Sequence, residues 1–386
     1  MTRLHIQNFA QIRQVDLAFG DLTVLVGAQG TGKSLALQWL KTSLDGKQIV
    51  SALLQAGQRE AGQPDVLIDQ IFGVGMGAAW SANTAVSLNG EAIEPHNIAK
   101  RGTGTESVFY IPAHRSMLIS DGWALPFQKL TVDTPVVARL FSQNLFERFT
   151  SRSSKGDTLF PLDRVLKQQY RELIDEAVFH GGTIGIAEDK YTKRLKLTHG
   201  TSQLPFMTWT AGQREFTPLL LGLYHLFPPG RVKKSKEVDW LIIEEPEMGL
   251  HPQAVMVFML LVLELLWRGY RVVLSTHSPQ VLTVLWMLRR LRENGARWQL
   301  LCEAFGIAKP RADLERVATA ALKKDVRVHL LSFGAEGDGK VSATDISSLD
   351  PGSDDDSVSG WGGLTGFASR CGEMVRQSVL ERPVER

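Results

Sequence analysis

The stretch GAQGTGKS, residues 27–34, constrains the fold of this chain more than any other. It matches the pattern G-x-x-x-x-G-K-[ST], and it lies between the apolar run LTVLV and a segment with helical spacing that begins at Lys33. A glycine-rich turn from a strand into a helix lets backbone N–H groups surround phosphate oxygens, and the dipole of the helix N-terminus favours the negative charge. With these flanks on both sides, the pattern predicts a phosphate-binding loop in an α/β fold rather than a chance glycine loop.

The residue types of this loop predict a division of work. We expect Lys33 to reach the β- and γ-phosphates of a nucleotide and the Ser34 hydroxyl to bind Mg²⁺. The backbone of the whole loop would contact the phosphates. Its residues are Gly27, Ala28, Gln29, Gly30, Thr31, Gly32, Lys33 and Ser34.

A second stretch, LIIEEPEMGLHP (241–252), ends an apolar strand in two adjacent carboxylates. Like charges side by side are costly unless a cation or a reacting proton uses them. An acid at the end of an apolar strand, downstream of a phosphate loop, is the expected holder of Mg²⁺, so Glu244 is predicted as a metal ligand. Glu245 is then free to orient or deprotonate a water molecule. The alternative, a solvated acidic turn, is disfavoured by the apolar WLII before it.

Two further stretches place polar groups at element ends. TWTAGQREFTPLLLGL (208–223) puts a hydroxyl residue, a glycine and an amide before an amphipathic helix, which in isolation is an ordinary helix cap. Next to the two stretches above, it becomes a candidate second anion site formed by Thr210, Ala211, Gly212 and Gln213. In YRVVLSTHSPQVL (270–282) a strand ends close to His277, which we expect near the γ-phosphate, although a lone histidine is usually structural.

Composition limits the class of protein. The 386 residues, 44% of them hydrophobic, can form one large or two ordinary domains, and a net charge of +2 excludes a uniformly basic nucleic-acid binder. Only two cysteines occur, Cys302 and Cys371, which argues against a disulfide framework or a structural zinc site and fits a reducing cytoplasm. No secretory signal is visible, and the apolar segment 254–267, which carries Glu264, is predicted as a buried core helix.

Patterning along the chain predicts an α/β protein with three parts. Residues 1–115 and 181–300 alternate strands and helices and would form the core, a parallel or mixed sheet flanked by helices, with the first helix running from Lys33 to about Leu44. Residues 116–180 look mainly helical around a polar break, TSRSSKGD, and would form an insertion. Residues 301–386 would form a small α+β extension with a β-hairpin over DVRVHLLSFGAEGDGKVSATDI.

Several charged stretches are open to two interpretations. The acids DDD (354–356) and the turn GAEGDGK (334–340) lie among turn-forming residues, which favours solvated loops over a metal site. The basic clusters RVKKSK (231–236), KYTKRLK (190–196) and RRLR (289–292) either contact phosphates of DNA or RNA or form a solvated surface. Aromatic residues do not interleave with them, which favours the solvated surface and leaves nucleic-acid binding open.

Taken in order, these motifs resemble the ABC-type ATPases, and more narrowly the RecF/OLD-like branch of stand-alone ATPases. The resemblance covers about residues 1–45 and 205–285, with YIPAHR (110–115) as a further similar stretch. It implies a P-loop NTPase core of the ABC type, with ATP and Mg²⁺ as cofactors and ATP hydrolysis as the activity. We expect the hydrolysis to be slow, because the sequence departs from the family pattern without losing a catalytic group. Three positions depart from the usual pattern: glutamate at Glu244 instead of aspartate, threonine at Thr210 instead of serine, and Gln29 where asparagine is common.

The resemblance also implies the role of each residue. Lys33 and Ser34 correspond to the Walker A motif, Glu244 to Walker B, Glu245 to the catalytic glutamate and His277 to the switch histidine. Residues 210–213 correspond to the signature, which in that family lies over the ATP of a neighbouring subunit. A chain with one copy of each motif would therefore pair head to tail with a second copy, with higher oligomers open.

The short length after residue 300 implies a separate effector. OLD-like proteins often carry a C-terminal Toprim nuclease, and the remaining residues are too few for one. YIPAHRSML (110–118) and WGGLTGFASR (361–370) look most like the ATPase of PARIS-type anti-phage systems, which holds a Toprim-type effector until a phage-encoded trigger appears. The alternatives are a RecF-like DNA-binding clamp and, less compatible with the signature and His277, a P-loop small-molecule kinase.

Overall fold

The computed structural model describes residues 1–58, 63–151, 158–162, 165–189, 192–228, 234–334 and 339–380. Helices within these ranges are α1 Lys33–Gln55, α2 Pro64–Phe72, α3 Val136–Ser151, α4 Gln168–Ile174, α5 Ala211–Leu223, α6 Pro252–Arg268, α7 Pro279–Glu293, α8 Trp298–Ala304, α9 Ala312–Ala321, α10 Asp356–Ser359 and α11 Gly366–Leu380.

The strands form one large sheet and two small ones. They are β1 Thr2–Phe9, β2 Ile12–Phe19, β3 Leu22–Val26, β4 Ala85–Leu88, β5 Glu91–Ala92, β6 Val108–Ile111, β7 Ile119–Ser120, β8 Trp123–Ala124, β9 Thr158–Phe160, β10 Thr183–Asp189, β11 Thr192–His199, β12 Ser202–Pro205, β13 Trp240–Glu244, β14 Arg271–Ser275, β15 Val326–Phe333 and β16 Val341–Asp345. The large sheet has the order β5-β4-β1-β2-β16-β15-β3-β14-β13-β6.

The large sheet is mixed, which confirms the predicted fold class. Strands β15, β3, β14, β13 and β6 run parallel to one another, whereas β1 pairs antiparallel with both β2 and β4. Helices cover both faces, and the two faces carry separate apolar clusters. Val24 and Leu25, neighbours on β3, belong to different clusters because successive side chains of a strand point to opposite faces. The carboxyl ends of the five parallel strands therefore meet at one edge.

The predicted C-terminal hairpin forms, but it lies in the large sheet. β15 pairs antiparallel with β16, as the sequence predicts, and then pairs parallel with β3, while β16 pairs with β2. A strand of residues 326–333 thus lies directly beside the strand that leads into the phosphate loop. The domain boundaries stay predictions, but a hairpin in this position is part of the sheet and not an appendage to it.

The helix that follows the phosphate loop breaks close to its predicted end near Leu44. Asp45, with φ of −124° and ψ of 23°, is not helical, and a second helical segment of α1 continues from there to Gln55. Asp45 is fully buried, and its carboxylate accepts hydrogen bonds from the backbone N–H groups of Ser107 and Val108 at the start of β6. The break places this carboxylate at the N-terminal end of β6, where it satisfies the first backbone N–H groups of the strand.

The segment predicted as a helical insertion contains helices and strands. α3 agrees with the expected amphipathic helix, but β7, β8 and β9 also lie in residues 116–180. Glu264 of α6 joins this segment to the core, because its buried carboxylate accepts hydrogen bonds from Lys167 Nζ at 2.6 Å and the Tyr170 hydroxyl at 2.9 Å. The polar break of 150–157 lies mostly outside the described residues.

Helix α6 is the buried core helix that the apolar segment predicts, with twelve buried residues between Ala254 and Leu266. None of the helices described in the structure is both long enough and apolar enough to cross a membrane.

Cys302 is buried, Cys371 is exposed, and neither is in a disulfide. Asp355 caps α10 from an exposed loop, as expected for a solvated DDD stretch.

Three other predicted stretches lie partly outside the described ranges. They are the basic clusters 190–196 and 231–236 and the turn 334–340.

Candidate active site

The predicted phosphate loop connects β3 to α1. Its glycines Gly27, Gly30 and Gly32 have φ values of 146°, 76° and 79°, in the region that L side chains rarely adopt. At Gly27 space is limiting as well, since a Cβ atom there would lie 2.1 Å from the carbonyl oxygen of Leu331 on β15. The loop therefore curls on itself with its backbone accessible, and Ala28, Gln29, Gly30 and Ser34 are exposed.

Lys33 is buried beneath the loop. Its Nζ donates hydrogen bonds to the carbonyl oxygens of Gly27 and Ala28, both at 2.9 Å. Burial lowers the pKa of Lys33, while the nearby carboxylates of Glu245, Glu247 and Glu244 oppose that shift. The ammonium group is thus placed between the loop and a cluster of acids that comes from more than 200 residues later in the chain.

Two further hydrogen bonds hold the loop in shape, one within it and one from a neighbouring connection. Thr31 Oγ1 donates to the carbonyl oxygen of Ala28 at 2.8 Å and closes the turn. Gln11, from the connection between β1 and β2, donates from Nε2 to the carbonyl oxygen of Gly30 at 2.9 Å. No sequence signal identified Gln11, because its contact depends on how β2 packs beside the loop.

Glu244 ends β13 and is buried, with 5% of its surface exposed. Burial raises the pKa of its carboxyl group, opposed by the nearby hydroxyls of Ser34 and Tyr110 and by the N–H of Ala113, which donates to Oε2 at 3.2 Å. The two hydroxyls approach without hydrogen-bonding geometry, so within the described part of the chain Oε1 has no hydrogen-bond partner. A buried carboxylate oxygen without a hydrogen-bond partner, next to a serine hydroxyl, is suited to binding a divalent cation.

Glu245 has a different environment, although it follows Glu244 directly. Its φ of 40° is left-handed, and its N–H donates to the carbonyl oxygen of Ser275 at 2.9 Å. This turn leaves about a third of the side chain exposed and places Oε1 3.5 Å from Nε2 of His277. The two acids are therefore separated by the backbone: one is buried against Ser34, and the other faces the open side with the histidine.

Glu247 connects the acid turn to the loop that carries His277. Its Oε1 accepts hydrogen bonds from Thr276 Oγ1 at 2.8 Å and from the N–H of His277 at 2.6 Å. The sequence showed Glu247 only as a third acid without a role. Its position two residues after the acid pair could have indicated it, but its partners could not be read from the chain.

Arg115 is the other residue of the site that sequence reasoning left without a role. It follows β6 in the YIPAHR stretch, is fully buried, and donates to the backbone carbonyl oxygens of Glu244, Glu245 and Pro246. Its guanidinium lies directly behind the acid turn.

The predicted signature begins α5. Thr210 caps the helix by accepting from the N–H of Gln213 at 3.3 Å, and Gln213 Oε1 accepts from the N–H of Thr210 at 3.2 Å. In front of this helix end is a hollow of about 450 Å³. It is lined by Thr210, Gly212 and Gln213 with Ala177, Val178, His180, Gly249, Leu250, His251, Gln253 and Ala254, and by none of the described residues of the phosphate loop.

The structure therefore divides the predicted site residues into two groups. Lys33, Ser34, Glu244, Glu245 and His277 lie together at the carboxyl ends of β3, β13 and β14. The residues 210–213 open into a separate hollow of the same chain. The chemical roles assigned to both groups stay predictions.

One family model matches the chain, over residues 146–283, and is described as "AAA domain, putative AbiEii toxin, Type IV TA system". The matched segment is a little over a third of the chain. It contains the predicted signature, the acid pair and His277, and it excludes the phosphate loop. The comparison with curated proteins gave no match.

Similar solved structures include two SMC heads and an ABC cassette. An SMC head bound to the C-terminal winged-helix domain of ScpA is 12% identical, with a TM-score of 0.39 over 89% of this chain and 96% of the other. The SMC head domain from Thermotoga maritima is 14% identical, with a TM-score of 0.36 over 89% and 97%. A bacterial ABC transporter cassette of dimeric structure is 11% identical, with a TM-score of 0.33 over 72% and 89%.

Proposed function

We propose that this chain is an ABC-type ATPase that binds ATP and Mg²⁺ between two copies of itself and hydrolyses the γ-phosphate. One observation carries the proposal. A phosphate loop with a buried lysine lies at the same sheet edge as a buried carboxylate, Glu244, whose Oε1 has no hydrogen-bond partner in the described structure. The loop and its lysine are suited to binding the phosphates of a nucleotide, and the carboxylate is suited to binding the cation that accompanies them.

The magnesium ion would be held by the Ser34 hydroxyl and the Glu244 carboxylate. When bound, it neutralises charge on the phosphate oxygens. Lys33 supplies positive charge from beneath the loop, and the loop N–H groups bind the phosphate oxygens. Ala113 keeps Glu244 in place through the hydrogen bond of its N–H to Oε2.

Glu245 is the proposed base. In this role its partly exposed carboxylate orients a water molecule toward the γ-phosphorus and accepts the proton that the water loses as its oxygen forms the new P–O bond. The bond from the γ-phosphorus to the bridging oxygen breaks in the same step, and ADP leaves with that oxygen. His277, whose Nε2 lies 3.5 Å from Glu245 Oε1, would bind the γ-phosphate or hold the protonated base. Glu247 positions this histidine through the N–H hydrogen bond at 2.6 Å.

The second copy would supply the signature. The α5 N-terminus opens into a hollow that is lined by no described phosphate-loop residue of its own chain. Its Gly212 and exposed Thr210 are instead available to a phosphate carried by a neighbour, with the helix dipole favouring that anion. ATP would then hold two copies together, and hydrolysis would loosen them.

The first experiment measures phosphate release and nucleotide binding by the purified chain. We expect Mg²⁺-dependent release, and we expect Lys33→Ala to abolish nucleotide binding because the loop loses its positive charge. Lys47→Ala, an exposed lysine of the same helix, is the matched control and should behave as wild type. A wild-type chain that binds ATP analogues but releases no phosphate with Mg²⁺ contradicts the enzymatic part of the proposal.

We further propose that the ATPase controls a separate Toprim-type effector in anti-phage defence. This rests on the similarity of residues 110–118 and 361–370 to PARIS-type ATPases. A Toprim nuclease gene beside this one, and phage protection lost with Lys33→Ala, are the expected results. Neighbouring repair genes, with DNA binding that depends on ATP and weakens with salt, would instead support the RecF-like clamp.

A further inference from the structure

Arg115 contacts two segments that come from distant parts of the chain, the acid turn and α5. Its Nη1 donates to the carbonyl oxygens of Glu244 at 3.2 Å and Glu245 at 3.4 Å, and Nη2 donates to that of Pro246 at 3.2 Å. These three residues form the turn that carries the proposed base. A single guanidinium therefore fixes the backbone on both sides of the Glu245 Cα atom.

The same side chain reaches the signature helix. Its Nε donates to the carbonyl oxygen of Glu215 in α5 at 3.1 Å, and the neighbouring Ser116 hydroxyl donates to Glu215 Oε1. Nη1 also lies within 3.4 Å of the carbonyl oxygen of Pro112, next to its own position. Arg115 thus bridges the acid turn and the helix whose start is the predicted signature.

The Arg115 guanidinium is charged and fully buried, which costs free energy, so its position calls for a reason beyond packing. The side chain is fully buried, and burial lowers its pKa to about 10 despite the surrounding carboxylates. Its nearest carboxylate oxygen, Oε2 of Glu215, is 3.9 Å away, so its donors are satisfied mainly by backbone carbonyl groups. The guanidinium carries five N–H donors in fixed directions on three nitrogens, so it can serve carbonyl groups of two separate segments, whereas a lysine carries its three donors on a single nitrogen.

The acid turn needs such support. A glutamate with φ of 40° is in a conformation that costs free energy for a residue with a Cβ atom, and it persists only where surrounding contacts enforce it. We propose that Arg115 is a positioning residue for hydrolysis, which holds Glu245 in its productive orientation and couples that orientation to the signature helix. This inference rests on the proposed ATPase.

The test separates nucleotide affinity from turnover. Arg115→Lys keeps the charge and loses the fork of donors, and it touches neither the phosphate loop nor Lys33. We expect kcat to fall about tenfold or more, while the Kd for a fluorescent ATP analogue stays within about twofold of wild type. Arg297→Lys, at an exposed arginine, is the control and should change neither.

A double-mutant cycle with Glu245→Gln distinguishes positioning from a general structural role. If Arg115 acts through Glu245, Arg115→Lys adds no further loss once the base is gone. Losses that add in the double variant, or a Kd that rises in parallel with the fall in kcat, overturn the inference. An inactive wild type overturns the proposed ATPase instead, which keeps the two failures apart.

A second variant covers the case in which Arg115→Lys does not fold. Glu215→Gln retains the shape of the side chain and removes the charge that faces Arg115 and Ser116. We expect it to fold, to bind the ATP analogue normally and to lower kcat several-fold. A wild-type kcat in a folded Glu215→Gln variant contradicts the coupling.

Discussion

At the residue scale, the two adjacent carboxylates of the acid turn have unlike surroundings. Glu244 is enclosed against Ser34 and Tyr110, and burial raises its pKa, whereas Glu245 is turned outward by a left-handed backbone. Burial is the main cause of the raised pKa of Glu244, and repulsion by the neighbouring Glu245 adds less to it. Each carboxylate is thereby suited to different chemistry, one to a cation and the other to a proton.

Replacing Glu245 by glutamine tests the assignment of the base. Glutamine keeps the size of the side chain and cannot accept a proton from water, so we expect kcat to fall by roughly 10²-fold or more with ATP affinity retained. The ATP-bound assembly should also persist, which size-exclusion chromatography with ATP can measure. Glu303→Gln, at an exposed glutamate, serves as the control. Hydrolysis at the wild-type rate would show that another group is the base.

The buried carboxyl group of Glu244 leads us to expect that the thermal stability of the protein depends on bound metal. Because its folded pKa is raised, ionising the buried carboxyl group opposes folding as pH rises above the ordinary range for glutamate, unless a cation offsets the charge. At pH 7 without metal, Glu244→Gln should therefore raise the melting temperature by a few degrees. The same variant should lose most of the further rise that Mg²⁺ and ATP give to wild type.

Thermal melting with EDTA and with Mg²⁺–ATP measures both effects. A Glu244→Gln variant that melts below wild type in EDTA would show that the carboxylate is stabilised by protein contacts alone. Normal stabilisation of that variant by Mg²⁺–ATP would exclude Glu244 as the metal ligand.

At the scale of single residues, the sequence predicts only those site residues whose role depends on neighbours close in the chain. The phosphate loop and the acid pair are recognisable because their function depends on neighbours within eight residues. Arg115 and Glu247 are not, since their hydrogen-bond partners lie 129 and 30 residues away. Strand pairing decides which carbonyl or hydroxyl group forms a hydrogen bond with Arg115 or Glu247. The periodicity of the sequence does not predict that pairing.

At the element scale, the break in α1 connects the phosphate-loop helix to β6. Asp45 leaves helical geometry, accepts from the fully buried Lys41 at 2.8 Å, and accepts from the N–H of Val108 at 2.8 Å. Lys41 donates in turn to Glu106 at 2.9 Å. The helix that begins at the phosphate loop is thus attached to the strand that ends near Arg115.

Asp45→Asn should weaken this connection and destabilise the protein. Removing one charge of a buried, hydrogen-bonded cluster leaves Lys41 less compensated and costs on the order of 3 kcal/mol. Urea unfolding should show a lower midpoint than wild type, while Asp354→Asn, at an exposed loop, should leave the midpoint unchanged. An unchanged midpoint for Asp45→Asn would indicate that the cluster contributes no net stability.

The elements themselves were mostly predictable, and their arrangement was less so. The amphipathic pattern of α3 correctly predicts a helix, and the apolar runs of β3 and β13 correctly predict strands. The predicted end of the first helix near Leu44 coincides with the break at Asp45, whereas the helical segment that continues to Gln55 was not predicted. The hairpin of β15 and β16 was visible, whereas its pairing with β3 and β2 depends on contacts across about 300 residues.

At the scale of the whole molecule, the two groups of predicted site residues lie apart, since residues 210–213 open into a hollow that none of the described phosphate-loop residues lines. A composite site between two copies predicts complementation. Lys33→Ala loses the phosphate loop function and keeps the signature, while Gly212→Asp blocks the signature with a charge and keeps the loop. Each variant alone should be nearly inactive, because every site contains one defective half.

Mixing the two variants in equal amounts should restore activity. Half of the pairs are mixed, and each mixed pair contains one whole site of two, so we expect about a quarter of wild-type phosphate release. Mixing Lys33→Ala with itself at the same total concentration is the control. Activity no greater than the sum of the separate variants, when subunit exchange has been verified, would mean that each copy works alone.

The position of β15 also bears on how the protein is made. Synthesis begins at the N-terminus, and β3 with its phosphate loop emerges early, yet the strand that packs behind Gly27 comes from residues 326–333. A chain still on the ribosome therefore lacks the backbone that supports the loop from behind. We therefore expect nucleotide binding to become available only once residues 326–333 have been translated and have paired with β3, which would keep shorter, unfinished copies from recruiting partners through ATP.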